Sequence, residues 1–78
     1  MKIVIKTNSH YRYLWDIISD FTKSIENIVI FTNDKLDYDF NKEVILYDQS
    51  LSYTDRIVHL IENIDSEYFL LIHDVDLI

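Results

Sequence analysis

Short apolar runs and amphipathic stretches alternate along the chain, and their periods predict its elements in order. Residues 2–7 alternate charged and apolar positions around Ile3, Val4 and Ile5 and predict a first strand ending in the polar turn Thr7-Asn8-Ser9-His10. Tyr11, Leu14, Trp15, Ile18, Phe21 and Ile25 then recur at spacings of three and four, the stripe of a helix covering one side of a sheet. Asn8 or Ser9 can cap that helix by accepting a backbone N–H bond. Arg12, Asp16, Ser19, Asp20 and Lys23 fall on its other faces. Residues 27–32 carry the continuous run Ile28-Val29-Ile30-Phe31, a second strand. Residues 33–42 show no helical period and read as loop, and residues 43–48 give a third strand through Val44, Ile45, Leu46 and Tyr47. Ser52, with Asp55 three residues on, is close to a capping box for a second helix whose predicted buried stripe is Tyr53, Ile57, Leu60, Ile61 and Ile64. Asp65-Ser66 breaks that helix, and residues 68–72 form an apolar run without polar alternation, as in a strand buried on both faces of a parallel sheet.

The order is β-α-β-β-α-β. Right-handed crossovers then give a mostly parallel four-stranded sheet in the order 3-2-1-4 with the helices on opposite faces, an α/β, Rossmann-like three-layer sandwich formed by residues 1–78 as one domain. Ligands of open α/β sheets bind outside the carboxyl ends of the strands, where the strand order reverses. Here that point falls between strands one and four, so the turn at residues 7–10 and the end Asp74-Val75-Asp76 are expected to face one crevice. In extended chain Asp74 and Asp76 point to the same side, with backbones roughly 6 to 7 Å apart, and can converge on one cation, while His73 and Val75 point away. Strand four would be a sheet edge with no proline, lysine or bulge to blunt it, and each face has a single helix. Both features lead to the expectation that the chain continues past Ile78, or that copies associate through the fourth strand.

Charge and composition narrow the chemistry. Fourteen acidic residues against seven Lys and Arg give a formal charge of −7, which disfavours nucleic acid and anionic membrane surfaces and suits a cation or a cation-bridged ligand. No stretch is long enough for a signal peptide or a spanning helix, so no membrane insertion is expected. The absence of cysteine removes disulfide and thiolate–metal chemistry and fits a cytoplasmic location. With no glycine, neither a P-loop nor a dinucleotide fingerprint can form, which argues against Walker-type NTPases and Rossmann dehydrogenases.

The chain resembles the GT-A-fold glycosyltransferases, which take sugar from a nucleotide-sugar donor. The first strand, its polar turn and Tyr11-Arg12-Tyr13-Leu14-Trp15-Asp16 look like the opening of bacterial surface-polysaccharide members of that fold. The more specific likeness is Tyr53-Thr54-Asp55-Arg56-Ile57, then Leu60-Ile61, then residues 64–76 ending in His73-Asp74-Val75-Asp76, which is similar to the segment leading into the D-x-D motif. The resemblance implies that Asp76 ligates a divalent cation, Mn²⁺ or Mg²⁺, bridging the donor diphosphate, and that Asp74 contacts the ribose or a metal-bound water. It implies that Thr7, Asn8 and Asp34 lie near the nucleoside and Arg56 near the nucleotide or the acidic pair. Its partners would be a nucleoside-diphosphate sugar and an acceptor glycan. Such a chain would be the donor-binding part of an incomplete GT-A domain, lacking the half that supplies the acceptor site and any catalytic base, and not active alone.

Chance is the competing explanation for the acidic pair, because among ten aspartates Asp37-Tyr38-Asp39 is a second D-x-D. That triplet lies in a polar loop with no strand before it and reads as solvated, whereas Asp74 and Asp76 end a strand. His73 reads as structural, His59 as a surface partner of Asp55 or Glu62, and His10 as a candidate donor contact in the crevice turn. Arg56 either reaches a phosphate or pairs with Asp55, Asp65 or Glu67; Trp15 reads as core. Two other functions fit the same elements: a nucleotidyltransferase, against which the missing glycine-rich start counts, and a non-catalytic α/β module that associates through the fourth strand.

Overall fold

The computed structural model describes residues 1–7, 12–33 and 36–77. Strand β1 (Lys2–Lys6), helix α1 (Arg12–Thr22), strands β2 (Ile28–Asn33) and β3 (Glu43–Tyr47), helix α2 (Tyr53–Asn63) and strand β4 (Phe69–His73) follow in order, and a 3-10 turn closes over Asp74–Leu77. All strand pairings are parallel and the order is β3-β2-β1-β4, so the expected α/β, Rossmann-like topology is present. β1 is central: Ile3 to Lys6 pair with Ile28 to Phe31 on one side, and Lys2 to Lys6 pair with Phe69 to His73 on the other.

Alternation along the strands divides the side chains between two cores. Ile5, Ile28 and Ile30 meet Trp15 and Ile18 of α1, whereas Val4, Val29, Phe31, Ile45 and Tyr47 meet Leu60 and Ile64 of α2. The helices therefore cover opposite faces. The loop before β3 is not idle: Phe40 is buried, and the rings of Tyr38 and Phe40 lie 5.8 and 6.2 Å from Trp15. Its acidic residues Asp37 and Asp39 are exposed, as expected.

Three expectations need correction. In α1, Phe21 is half exposed and Thr22 takes the inward position, its hydroxyl satisfied by the Ile18 carbonyl at 2.8 Å. In α2 the inward row is Arg56, Leu60, Ile64 at spacing four, so Tyr53 and Ile61 face outward; Ser52 caps this helix, accepting from the Asp55 backbone N–H at 3.2 Å. β4 is only partly buried, with Leu70 exposed, because at the sheet edge neither helix lies squarely over it.

Left-handed backbone falls at Asn27 (φ 61°) and Asn41 (φ 54°), where a chain without glycine uses the residue that best tolerates that region. Among the described residues no helix is long and apolar enough to cross a membrane.

The two α2 rows give a direct test. Leu60→Ala should destabilise by about 2–5 kcal/mol, whereas Ile61→Ser should stay within about 0.5 kcal/mol, read by urea denaturation of each variant.

Candidate functional site

The carboxyl edge of the sheet joins two segments far apart in sequence. Thr7, buried directly after β1, donates its hydroxyl proton to Asp74 Oδ2 at 2.9 Å, and Asp74 Oδ1 accepts the Val75 backbone N–H at 2.9 Å. Thr7 and Asp74 thus meet where the sequence places the crevice. Asn8, His10 and Asp34, the other residues assigned to the donor, lie outside the described residues.

The acidic pair is not extended. Asp74 to Leu77 form a 3-10 turn, and at three residues per turn positions two apart diverge by about 120°. Asp76 therefore does not share a side with Asp74; it is exposed, while Asp74 is half-buried. The turn has a physical cause in Leu77, which packs into the α1-side core with Trp15 and Ile18; extended chain running past the end of β1 would leave it in water.

The donor set fits a divalent cation only in one form. No group of three or more His, Asp or Glu residues gathers among the described residues. A hard cation such as Mg²⁺ is nevertheless commonly held by one or two carboxylates and completed by phosphate oxygens and water. Asp76, which has no hydrogen-bond partner among the described residues, suits that role, whereas both oxygens of Asp74 are already engaged.

Arg56 does not pair with any acidic side chain among the described residues. It donates from Nε to the Leu51 carbonyl (2.9 Å) and from Nη2 to the Gln49 carbonyl (2.8 Å), and its guanidinium lies 4.7 Å from the centre of the Tyr47 ring. Those bonds fix the turn between β3 and α2, which Asp48 also braces by accepting from the Ser50 backbone and hydroxyl, both at 2.9 Å; these bonds hold the Asp48 carboxyl below its ordinary pKa. His59 is likewise structural: its Nε2 meets the Leu46 carbonyl at 2.8 Å, so the expected pairing with Asp55 or Glu62 is replaced by a contact to β3.

The sequence reading overlooked Lys6 and Tyr47. Lys6 is 6% exposed, and its ammonium lies 5.7 Å from the ring centres of both Tyr47 and Tyr53. Burial first, and the nearby Arg56 second, lower its pKa, with Asp74 pulling the other way. Tyr47 is 1% exposed; burial raises its pKa, Arg56 opposes the rise and Asp74 adds to it. The signal for Lys6 was the period of two itself: Val4 faces α2, so Lys6 must as well.

No known family model matches this chain, and neither a curated protein nor a solved structure matches it significantly. The carboxyl-edge geometry alone therefore carries the functional argument.

Because the folded pKa of Lys6 lies below 10.5, the protonated amine opposes folding at neutral pH, and that penalty fades as pH rises through the folded pKa towards 10.5. Lys6→Met should raise the urea midpoint at pH 7, by a stability increment of about 1 kcal/mol, and the gain over wild type should shrink as pH rises towards 10.5. A lowered midpoint at pH 7 would mean that the two ring contacts outweigh desolvation.

Proposed function

We propose that this chain is the donor-nucleotide and divalent-cation-binding part of a glycosyltransferase that uses a nucleoside-diphosphate sugar in glycan assembly. The observation that carries the reading is the Thr7–Asp74 hydrogen bond at the carboxyl edge, between the two strands where the order 3-2-1-4 reverses. In this reading Asp74, held by Thr7, meets the ribose or a water on the cation, and Asp76 is the carboxylate that takes Mn²⁺ or Mg²⁺ together with the diphosphate. When bound, the cation neutralises charge developing on the leaving diphosphate. The protein's own contribution is to hold the acidic turn against β1, exclude water on the α1 side through Leu77 and leave Asp76 exposed.

An amide NMR titration with trace Mn²⁺ tests this. Broadening should centre on Asp74 and Asp76, strengthen with uridine diphosphate and disappear in Asp76→Asn. Broadening centred on Asp37 and Asp39, or spread evenly over the acidic surface, would overturn it.

A second reading, a non-catalytic module that associates through β4, is favoured by one observation: Tyr68 and Leu70 are exposed beside an open strand edge. Sedimentation velocity should then show concentration-dependent dimers that Leu70→Lys abolishes.

A further inference from the structure

We propose that Lys6, Arg56 and the Tyr47 hydroxyl form a binding site for a phosphoryl dianion that needs no metal ion. The site lies on the α2 side of the sheet, at the carboxyl ends of β1 and β3. There two cations share one aromatic ring: the Lys6 ammonium 5.7 Å and the Arg56 guanidinium 4.7 Å from the centre of Tyr47. Each lies where attraction to the ring quadrupole is expected, yet a neutral ring supplies no counter-charge to two full positive charges.

Three donors here lack an acceptor. Lys6 Nζ makes no hydrogen bond or ion pair with a described residue, although the residue is only 6% exposed. The Tyr47 hydroxyl is buried and has no hydrogen-bond partner among the described residues. Arg56 spends Nε and Nη2 on the Leu51 and Gln49 carbonyls, which aims the fork and leaves Nη1 for a ligand. Buried polar groups without partners are rare and destabilising, so two of them, Lys6 Nζ and the Tyr47 hydroxyl, beside a half-buried arginine on the same ring call for a ligand rather than for packing.

The missing partner must be an anion with several acceptor oxygens. Asp74 is a carboxylate that acts on both Lys6 and Tyr47, but Thr7 and the Val75 backbone hold its two oxygens. A phosphoryl dianion matches two cations in charge, accepts from an ammonium, a guanidinium edge and a phenol at once, and relieves the mutual repulsion of Lys6 and Arg56. A carboxylate carries half that charge. Tyr53, whose ring stands over Lys6 while half exposed, forms the solvent side of the site. The strand register sets Lys6 opposite His73, so an imidazole flanks the same position on β4.

This inference does not rest on the divalent-cation reading, and its test is arranged to separate them. The full chain, in EDTA, is titrated with sodium phosphate at constant ionic strength against sodium chloride, while the Lys6 ε-methylene, Arg56 Nε–H and Tyr47 ring resonances are followed by NMR. The same titration is run with acetate and with uridine diphosphate, and the phosphate series is repeated without EDTA. Phosphate should give saturable shifts at all three residues, with half-saturation on the order of 1–10 mM for so small a ligand. Tyr47→Phe, which removes one oxygen from the core, should weaken binding by about 5–10-fold, and Lys6→Met should abolish it. Acetate should bind at least several-fold more weakly, and phosphate should bind as tightly in EDTA as without it. Uridine diphosphate tighter than phosphate assigns the group to a nucleotide; equal affinity assigns it to free phosphate or another monoester. Shifts that chloride reproduces, saturation mapped to Lys2, Lys23 or Lys42, or acetate binding as tightly as phosphate would overturn the proposal. Should Lys6→Met fail to fold, Tyr47→Phe alone decides, and unchanged affinity in that variant overturns the proposal as well.

Discussion

Everything in this molecule depends on β1 lying in the middle of a parallel sheet. A central strand has no free edge and, past its first residue, no free face, so the side chains from Ile3 to Lys6 must turn to one core or the other. Ile3 and Ile5 go to the α1 side and Val4 to the α2 side. The same rule sends Lys6 inward, and there the strand breaks with apolar economy: a cation is placed where a valine would pack. The chain accommodates it with the faces of Tyr47 and Tyr53 instead of with a counterion, which leaves the amine less basic than in water. A buried cation so treated is a local inconsistency in an otherwise consistent fold, and such inconsistencies concentrate at functional positions.

How far the sequence foretells this structure follows from which kind of information each feature needs. Element order, parallel pairing and the sequence 3-2-1-4 came from hydrophobic periods and the handedness of crossovers, and both are local or general. The face of α2 did not follow, because a stripe drawn through apolar residues alone skips Arg56, although Arg56, Leu60 and Ile64 form one inward row. A long side chain with a planar head can lie on an aromatic ring and still reach backbone carbonyls, so a charge is no proof of an outward face. The turn positions had a compositional signal that went unread: with glycine absent, asparagine is left to supply the left-handed backbone at Asn27 and Asn41.

The acidic end illustrates a different limit. Its location beside Thr7 was legible, since topology alone brings the ends of β1 and β4 together. Its conformation was not, because it is decided by Leu77, a single apolar residue whose nearest available core lies on the α1 side. Folding Leu77 back converts an extended D-x-D into a 3-10 turn and separates two carboxylates that periodicity would have aligned. Local pattern assigns residues to strands well only while a paired neighbour continues, and β1 ends at Lys6.

The two groups of charge at the carboxyl edge are coupled through Asp74. Its carboxylate acts on both Lys6 and Tyr47, yet its hydrogen bonds run to Thr7 and Val75, so it lowers the electrostatic strain of the cation pair without quenching it. If Asp74 bonded Lys6 directly, the pair would be a closed buried salt bridge with nothing left for a ligand. Held by Thr7, it raises the basicity of Lys6 against the effect of burial without pairing with it. The α2 side of the edge carries Lys6 and Arg56 and the exposed turn carries Asp76, and a phosphorylated ligand bearing a hard cation presents those charges in reverse. The edge would grip such a ligand from both ends: anionic oxygens against Lys6 and Arg56, the cation against Asp76. Were both proposals to hold, the cation would add to affinity without being required for it, unlike sites whose phosphate binding is wholly borrowed from a metal.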